Sequence, residues 1–178
     1  MARAEVDLAV DWAAQEGWNP GLHDAGCFDA ADPGGFLIGL VGDAPVACIS
    51  AVKYGVSFGF LGFYIVKPAW RARGYGRQIW NAGMQRLHGR AIGLDCVLAQ
   101  QDNYRRSGFT LAHRNIRYRG QGGAEAPADG QIVPLHTLPF ESVATYDRPF
   151  FPDDRSRFLR HWIGQARATA LGLLEHRR

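Results

Sequence analysis

Arg71, Arg73 and Arg77 are set around Gly74 and Gly76, directly after the apolar run Ser57–Val66 and the stop Lys67-Pro68. An apolar strand, a proline, Arg-x-x-Gly-x-Gly and then a helix have the makings of an anion site. The first N–H groups of a helix have no intrahelical partners, and the helix dipole favours negative charge there. Glycine lets the backbone come close to a phosphate, and the guanidinium groups add charge around it. Two common phosphate loops are excluded: there is no GxxxxGK[ST], and no GxGxxG opens a βαβ unit with a later acidic residue. A second concentration of chemistry is Glu16-Gly17-Trp18-Asn19-Pro20-Gly21-Leu22-His23-Asp24, which gathers acid, indole, amide and imidazole into one loop. The six histidines never fall at metal-ligand spacing, so no metal site is expected.

These groups need elements to hold them. Val6, Ala9, Val10 and Ala13 recur at helical spacing, predicting a helix that ends near Gly17. A short helix follows through Leu22–Phe28. Phe36–Val41 and Pro45–Lys53 read as a hairpin around Gly42-Asp43, and Ser57–Val66, apolar on both faces, as a central strand. A helix from Gly74 to about His88, a strand Ile92–Ala99, a helical turn Asp102–Arg106 and a last strand Phe109–Tyr118 complete the series. That order is an α+β domain with a mixed sheet flanked by helices, here residues 1–119. Residues 120–134, rich in Gly, Ala and Pro, read as a linker. Residues 135–178 form a C-terminal appendage with an amphipathic helix from about Asp154 to Ile163. It is too small to fold securely alone and should pack on the main domain or on another chain.

Length and composition exclude collagen, disorder and coiled coil: 178 residues, 47% hydrophobic and 21% charged, with no apolar run near the ~20 residues of a membrane span. The N-terminus lacks the apolar core of a secretory signal, and three widely spaced cysteines suggest no disulfide framework, so the expected setting is cytoplasmic. The net charge of +3 hides an asymmetry. Residues 1–50 hold one basic side chain against eight acidic, and residues 51–120 hold twelve basic against two acidic. Opposite fields suit an anionic ligand in one place and a cationic one in another. A nucleic-acid partner is not expected, because the basic segment does not show the aromatic–basic interleaving of known single-strand binders.

The segment Arg71-x-x-Gly74-x-Gly76, after a strand ending Val66-x-Pro68, resembles the acyl-CoA pyrophosphate loop of the GNAT superfamily of N-acetyltransferases. Asn103-Tyr104-Arg105-Arg106-Ser107-Gly108-Phe109 is similar to the superfamily's Tyr-x-x-x-Gly-Phe, a short helix leading into a strand. The resemblance covers about residues 4–119. It implies a splayed acyl-CoA N-acyltransferase sheet that takes acetyl-CoA as acyl donor. It also implies backbone groups of Tyr64, Ile65 and Val66 for pantetheine, and Arg71, Ala72, Arg73, Gly74, Tyr75, Gly76 and Arg77 for the pyrophosphate. Tyr104 would stand near the sulfur and protonate the leaving thiolate, a step a phenol of pKa about 10 can perform in a dry site.

The reaction also needs an unprotonated amine. The superfamily's base varies in position, so the candidates come from the acidic first third: Glu16 as base or amine anchor, with Trp18, Asn19, His23 and Asp24 on the acceptor side. Glu16 also reads as a solvated helix end, Asp24 as a helix cap and Trp18 as core. Asp95 in its apolar strand would become a base only if turned inward; a solvated edge position is the expectation. Cys96 has no histidine at matching spacing, which disfavours a thioester relay. The expected function is acetyl transfer to a primary amine of a small, cationic acceptor by direct attack. The alternative is an acyl-CoA-binding module without chemistry.

Two features depart from the superfamily. Met1-Ala2-Arg3 is too short for the strand that normally precedes the first helix. Gln15–Asp24 and Asp147–Pro152 look similar to a bacterial subgroup with a second C-terminal lobe, for which the remaining residues are too few. The expectation is one complete lobe and a stub. Phe150, Phe151, Phe158 and Trp162 in that stub could bury a homodimer contact.

Overall fold

The structure is a computed structural model that describes residues 1–116, 118–121, 123 and 130–174. Helices α1 (Arg3–Gln15) and α2 (Asp24–Ala31) come first. Strands β1 (Phe36–Val41), β2 (Ala44–Tyr54) and β3 (Phe58–Val66), helix α3 (Tyr75–Arg86), strand β4 (Ala91–Leu94) and helix α4 (Gln101–Arg106) follow. The sheet order is β1-β2-β3-β4. The first three strands pair antiparallel, and β4 joins β3 in parallel after the α3 crossover.

The sheet has a core on each face. Val6, Ala9, Trp12 and Ala13 of α1 and Ala25 and Ala31 of α2 pack on one side with Phe36, Cys48, Val52 and Ile65. Ile79 and Leu87 cover the other side with Val46, Ile49 and Leu61. This explains the unbroken apolar runs of β2 and β3, because a strand covered on both faces shows no alternation. The expected helices and hairpin are present within a few residues of their sequence bounds.

Three expectations are corrected. The strand Ile92–Ala99 stops at Leu94; Asp95 is exposed and accepts from Asn115 Nδ2 at 3.3 Å, and a 3-10 turn follows at Leu98–Gln100. No strand forms over the described part of Phe109–Tyr118; residue 117 lies outside the described residues. A strand needs a neighbour's hydrogen bonds, and β4 is only four residues long. Of the expected linker 120–134, residues 122 and 124–129 lie outside the described residues, and its end is not linker, because Ile132–Pro134 form a strand. Beyond it the tail holds more than one helix. It has α5 (Phe140–Asp147), α6 (Ser156–Ile163) and a two-stranded sheet of β5 (Ile132–Pro134) and β6 (Leu171–Leu173).

The tail packs on the main sheet and on α2. The Phe151 ring lies edge-on to Tyr54 at 5.0 Å and to Phe58 at 5.3 Å, and Phe158 stacks on Phe28 at 5.7 Å. Asp153 accepts from the backbone N–H groups of Val56 (2.9 Å) and Ser57 (2.7 Å) and from the Ser57 hydroxyl (2.8 Å), tying the tail to the β2–β3 turn. Of the four aromatic residues assigned to a homodimer contact, Phe151 and Phe158 thus pack on the main domain, while Trp162, stacked on Phe158 at 5.1 Å, and Phe150, 5.3 Å from the Tyr146 ring, remain exposed.

Candidate active site

The backbone of β3 builds the centre of the site. β4 pairs only with Phe58–Leu61, whereas β3 continues to Val66. Along residues 62–66 one edge of β3 therefore has no strand beside it among the described residues. On the other edge the register with β2 shifts between Cys48 and Ser50, opposite Phe63, whose φ of 46° marks a bulge. The Cys48 thiol donates to the Phe63 carbonyl at 3.2 Å. Beyond the bulge Ile65 is buried toward α1 and α2, while Tyr64 and Val66 pack on the α3 side. An unpaired edge presents N–H and C=O groups to an extended ligand.

Lys67-Pro68 ends β3, and a 3-10 turn at Pro68–Trp70 leads into the glycine loop. Gly74 is the N-cap of α3 with φ 85°, a conformation in which a side chain is strained. The first turn of α3 carries no acidic residue and no side-chain cap. Among the described residues no side chain caps its first N–H groups, so these and the positive end of the dipole are open to an anion. Gly76 has a different reason: a Cβ there would lie 2.9 Å from the Tyr64 hydroxyl oxygen. Arg73 lies over the Trp70 ring at 5.3 Å, and Arg71, Ala72 and Arg77 are exposed.

Tyr104, on α4, reaches the same region. Its ring is 5.6 Å from that of Trp80 and 6.2 Å from that of Phe109, and Trp80 packs on Tyr64 at 5.5 Å. Burial first, then the neighbouring Tyr64 and Cys96, raises the Tyr104 phenol above its ordinary range and keeps it protonated. Burial raises the Tyr64 phenol likewise. Sequence reasoning used only the backbone of Tyr64 and overlooked its hydroxyl, although alternation along β3 places residues 64 and 66 on the α3 face. Trp80, one turn into α3, also went unnoticed as the wall between the two tyrosines.

On the opposite side Glu16 is the C-cap of α1 and forms an ion pair with Arg71 Nη2, while Arg71 Nε donates to the Val66 carbonyl at 2.8 Å. The Lys67 ammonium lies 5.4 Å above the Trp12 ring. The end of α1 is thereby joined to the glycine loop at two places. The structure thus brings together one residue assigned to the acceptor and one assigned to the anion loop.

The rest of the acceptor-side set is more dispersed. Trp18 and Asn19 follow Glu16 directly, with Trp18 N–H bonded to the Ala13 carbonyl at 3.0 Å and Asn19 at φ 50°. His23 is the N-cap of α2, and its side chain makes no capping hydrogen bond. Asp24 is buried in the first turn of α2; its Oδ2 accepts from Gly21 N–H at 2.7 Å, and its Oδ1 has no partner among the described residues. No hydrogen bond joins His23 or Asp24 to Glu16 or Tyr104 among the described residues.

Two of the three thiols are buried and poorly suited to act as nucleophiles. Burial pushes Cys48 up to about 12 and also raises Cys27, and Cys96 stands exposed on the segment after β4. Among the described residues no cluster of three His, Cys, Asp or Glu could hold a metal ion. No helix among them is long and apolar enough to cross a membrane.

The Acetyltransferase (GNAT) family profile matches residues 4–109. The chain is 30% identical over 159 residues to a Pseudoalteromonas sp. (strain SANK 73390) protein named Holothin acyltransferase, covering 89% of this chain and 54% of that protein. It thus spans about half the length of that relative. A Pyrococcus horikoshii protein of proposed acetyltransferase activity superposes with a TM-score of 0.71 at 19% identity, over 98% of this chain and 63% of its own. Ard1 from Thermoplasma volcanium superposes with a TM-score of 0.54 at 14% identity, over 64% of this chain and 81% of its own.

Proposed function

Because this chain belongs to the GNAT acetyltransferase family, in which acyl transfer is the shared chemistry, we propose that it moves an acetyl group from acetyl-CoA to a primary amine of a small, cationic acceptor. The observation that carries this reading is the run from the unpaired edge of β3 into the uncapped start of α3. A thioester arm needs an extended partner, and a pyrophosphate needs unpartnered N–H groups with positive charge. The two surfaces are consecutive in the chain.

In this reading the backbone of Tyr64, Ile65 and Val66 holds the pantetheine arm. Arg71–Gly76 and Arg77 hold the pyrophosphate. The neutral amine attacks the thioester carbonyl, the carbon–sulfur bond breaks, Tyr104 gives its proton to the departing sulfur, and the proton shed by the attacking nitrogen restores the phenol. Glu16 anchors the ammonium or takes its proton before attack. Trp18, Asn19 and His23 shape the acceptor side, and Asp24 holds their loop through Gly21. The eight acidic side chains of the first fifty residues favour a cationic acceptor.

The test is a calorimetric titration with acetyl-CoA, run beside Arg71→Ala combined with Gly74→Glu, and then a screen of amines read by thiol release. Holothin belongs in that screen because the Pseudoalteromonas relative is named for it. Binding lost in the variant, followed by thiol release with an amine, is the expected result. Binding without turnover for any amine would make the chain an acyl-CoA-binding module, and no binding at all would sink the donor assignment.

A further inference from the structure

Glu16 sits at an awkward place for a carboxylate. It is the C-cap of α1, where the helix dipole is negative, and the last turn of α1 carries no basic residue. Its charge is balanced from outside the helix, by Arg71, 55 residues away in sequence. Arg71 is meanwhile anchored by Nε on the Val66 carbonyl, the last residue of the open β3 edge. The guanidinium therefore bridges the end of α1 and the mouth of the cleft. The pair is partly exposed, with side-chain accessibilities of 49% for Arg71 and 30% for Glu16. Ion pairs of that kind are weak and readily exchanged.

A pyrophosphate on the Arg71–Gly76 loop would compete with Glu16 for the same guanidinium. It offers more charge and an arginine-matching geometry, and a carboxylate left beside it would add repulsion. We propose that the Glu16–Arg71 ion pair is a partner exchange: the pyrophosphate takes Arg71, and the carboxylate released at the negative end of α1 becomes the binding site for the acceptor's ammonium. The loop arginine thus stands in for the missing cation until the coenzyme arrives. This rests on the acetyltransferase reading above and adds to it a residue that links the two ligands.

The exchange is tested with a double-mutant cycle on the full chain: wild type, Glu16→Gln, Arg71→Ala and the double variant, each titrated calorimetrically with acetyl-CoA and separately with inorganic pyrophosphate. Glutamine is isosteric at this exposed cap, and circular dichroism checks the fold. The expected result is that Glu16→Gln tightens binding of both probes by about fivefold, and that the gain vanishes in the Arg71→Ala background. Unchanged or weaker binding in Glu16→Gln overturns the proposal. So does a gain that persists without Arg71, which would mean only that a negative charge was removed from the neighbourhood. A chain that binds pyrophosphate but not acetyl-CoA refutes the donor assignment while the pyrophosphate arm still decides the exchange. A chain that binds neither overturns both.

Discussion

A phenol can give a proton to a departing thiolate only while it holds that proton, and the surroundings of Tyr104 hold it there. Burial beside Trp80 and Phe109 lifts its pKa above the ordinary 10.0. Tyr104→Phe keeps the ring packing and removes the donor. The expected outcome is a fall in kcat of about 100-fold with the KM for acetyl-CoA nearly unchanged. The sign with pH follows from the raised value: the neutral, active form persists through neutrality, so Tyr104 contributes no descending limb to the kcat profile below about pH 10. A smaller loss, or a basic limb near pH 8 that the variant abolishes, would assign the proton to another group. At this scale the sequence was most legible where chemistry is local. Arg71, Gly74 and Gly76 follow one another closely at the start of α3, so the spacing of that loop reads directly. The Glu16–Arg71 pair and the approach of Tyr64 to Gly76 join distant segments, and no spacing rule encodes them.

The elements were legible where one strand or helix carries its own pattern. The hairpin of β1 and β2, the apolar run of β3 and the amphipathic face of α3 read from periodicity and turn residues. The segment Phe109–Tyr118 has a strand-like composition but pairs with no strand among the described residues, so propensity alone misleads there. The tail was read only in part. α6 shows its apolar face plainly, but α5 and the β5–β6 pair are short elements that owe their form to packing. Asp153 shows how the tail is fastened. Its carboxylate receives three hydrogen bonds from Val56 and Ser57, with a further one from the backbone of Asp154. These hold its pKa well below the ordinary 3.8. A depressed carboxyl contributes stability that is present above its unfolded value and is lost as pH falls through the folded one. The melting temperature of the wild type should therefore drop more steeply below pH 4 than that of Asp153→Asn, whose stability at pH 7 is already lower. Parallel acid profiles for the two proteins would show that the contact adds nothing.

For the whole molecule, what matters is whether the tail unfolds with the sheet or apart from it. Phe28 of α2 touches Phe36 of β1, Phe63 at the β3 bulge and Phe158 of α6, with ring centroids 6.1, 5.6 and 5.7 Å apart. Phe158 in turn stacks on Trp162 at 5.1 Å. An aromatic chain thus runs from the tail through α2 to the bulge that shapes the open edge of β3. Such contacts are energetically large for so short a segment, and a tail this small has little core of its own. The two parts should therefore behave as one cooperative unit. Phe158→Ala is expected to lower the unfolding free energy by about 2 kcal/mol, below the value for a fully buried phenylalanine because Phe158 is half-buried. Urea unfolding of both proteins should show a single transition, with tryptophan fluorescence and far-ultraviolet circular dichroism coincident. If the tail were an independent appendage, the same substitution would split the transition. An early phase reporting Trp162 would then leave the midpoint of the sheet where it is in the wild type.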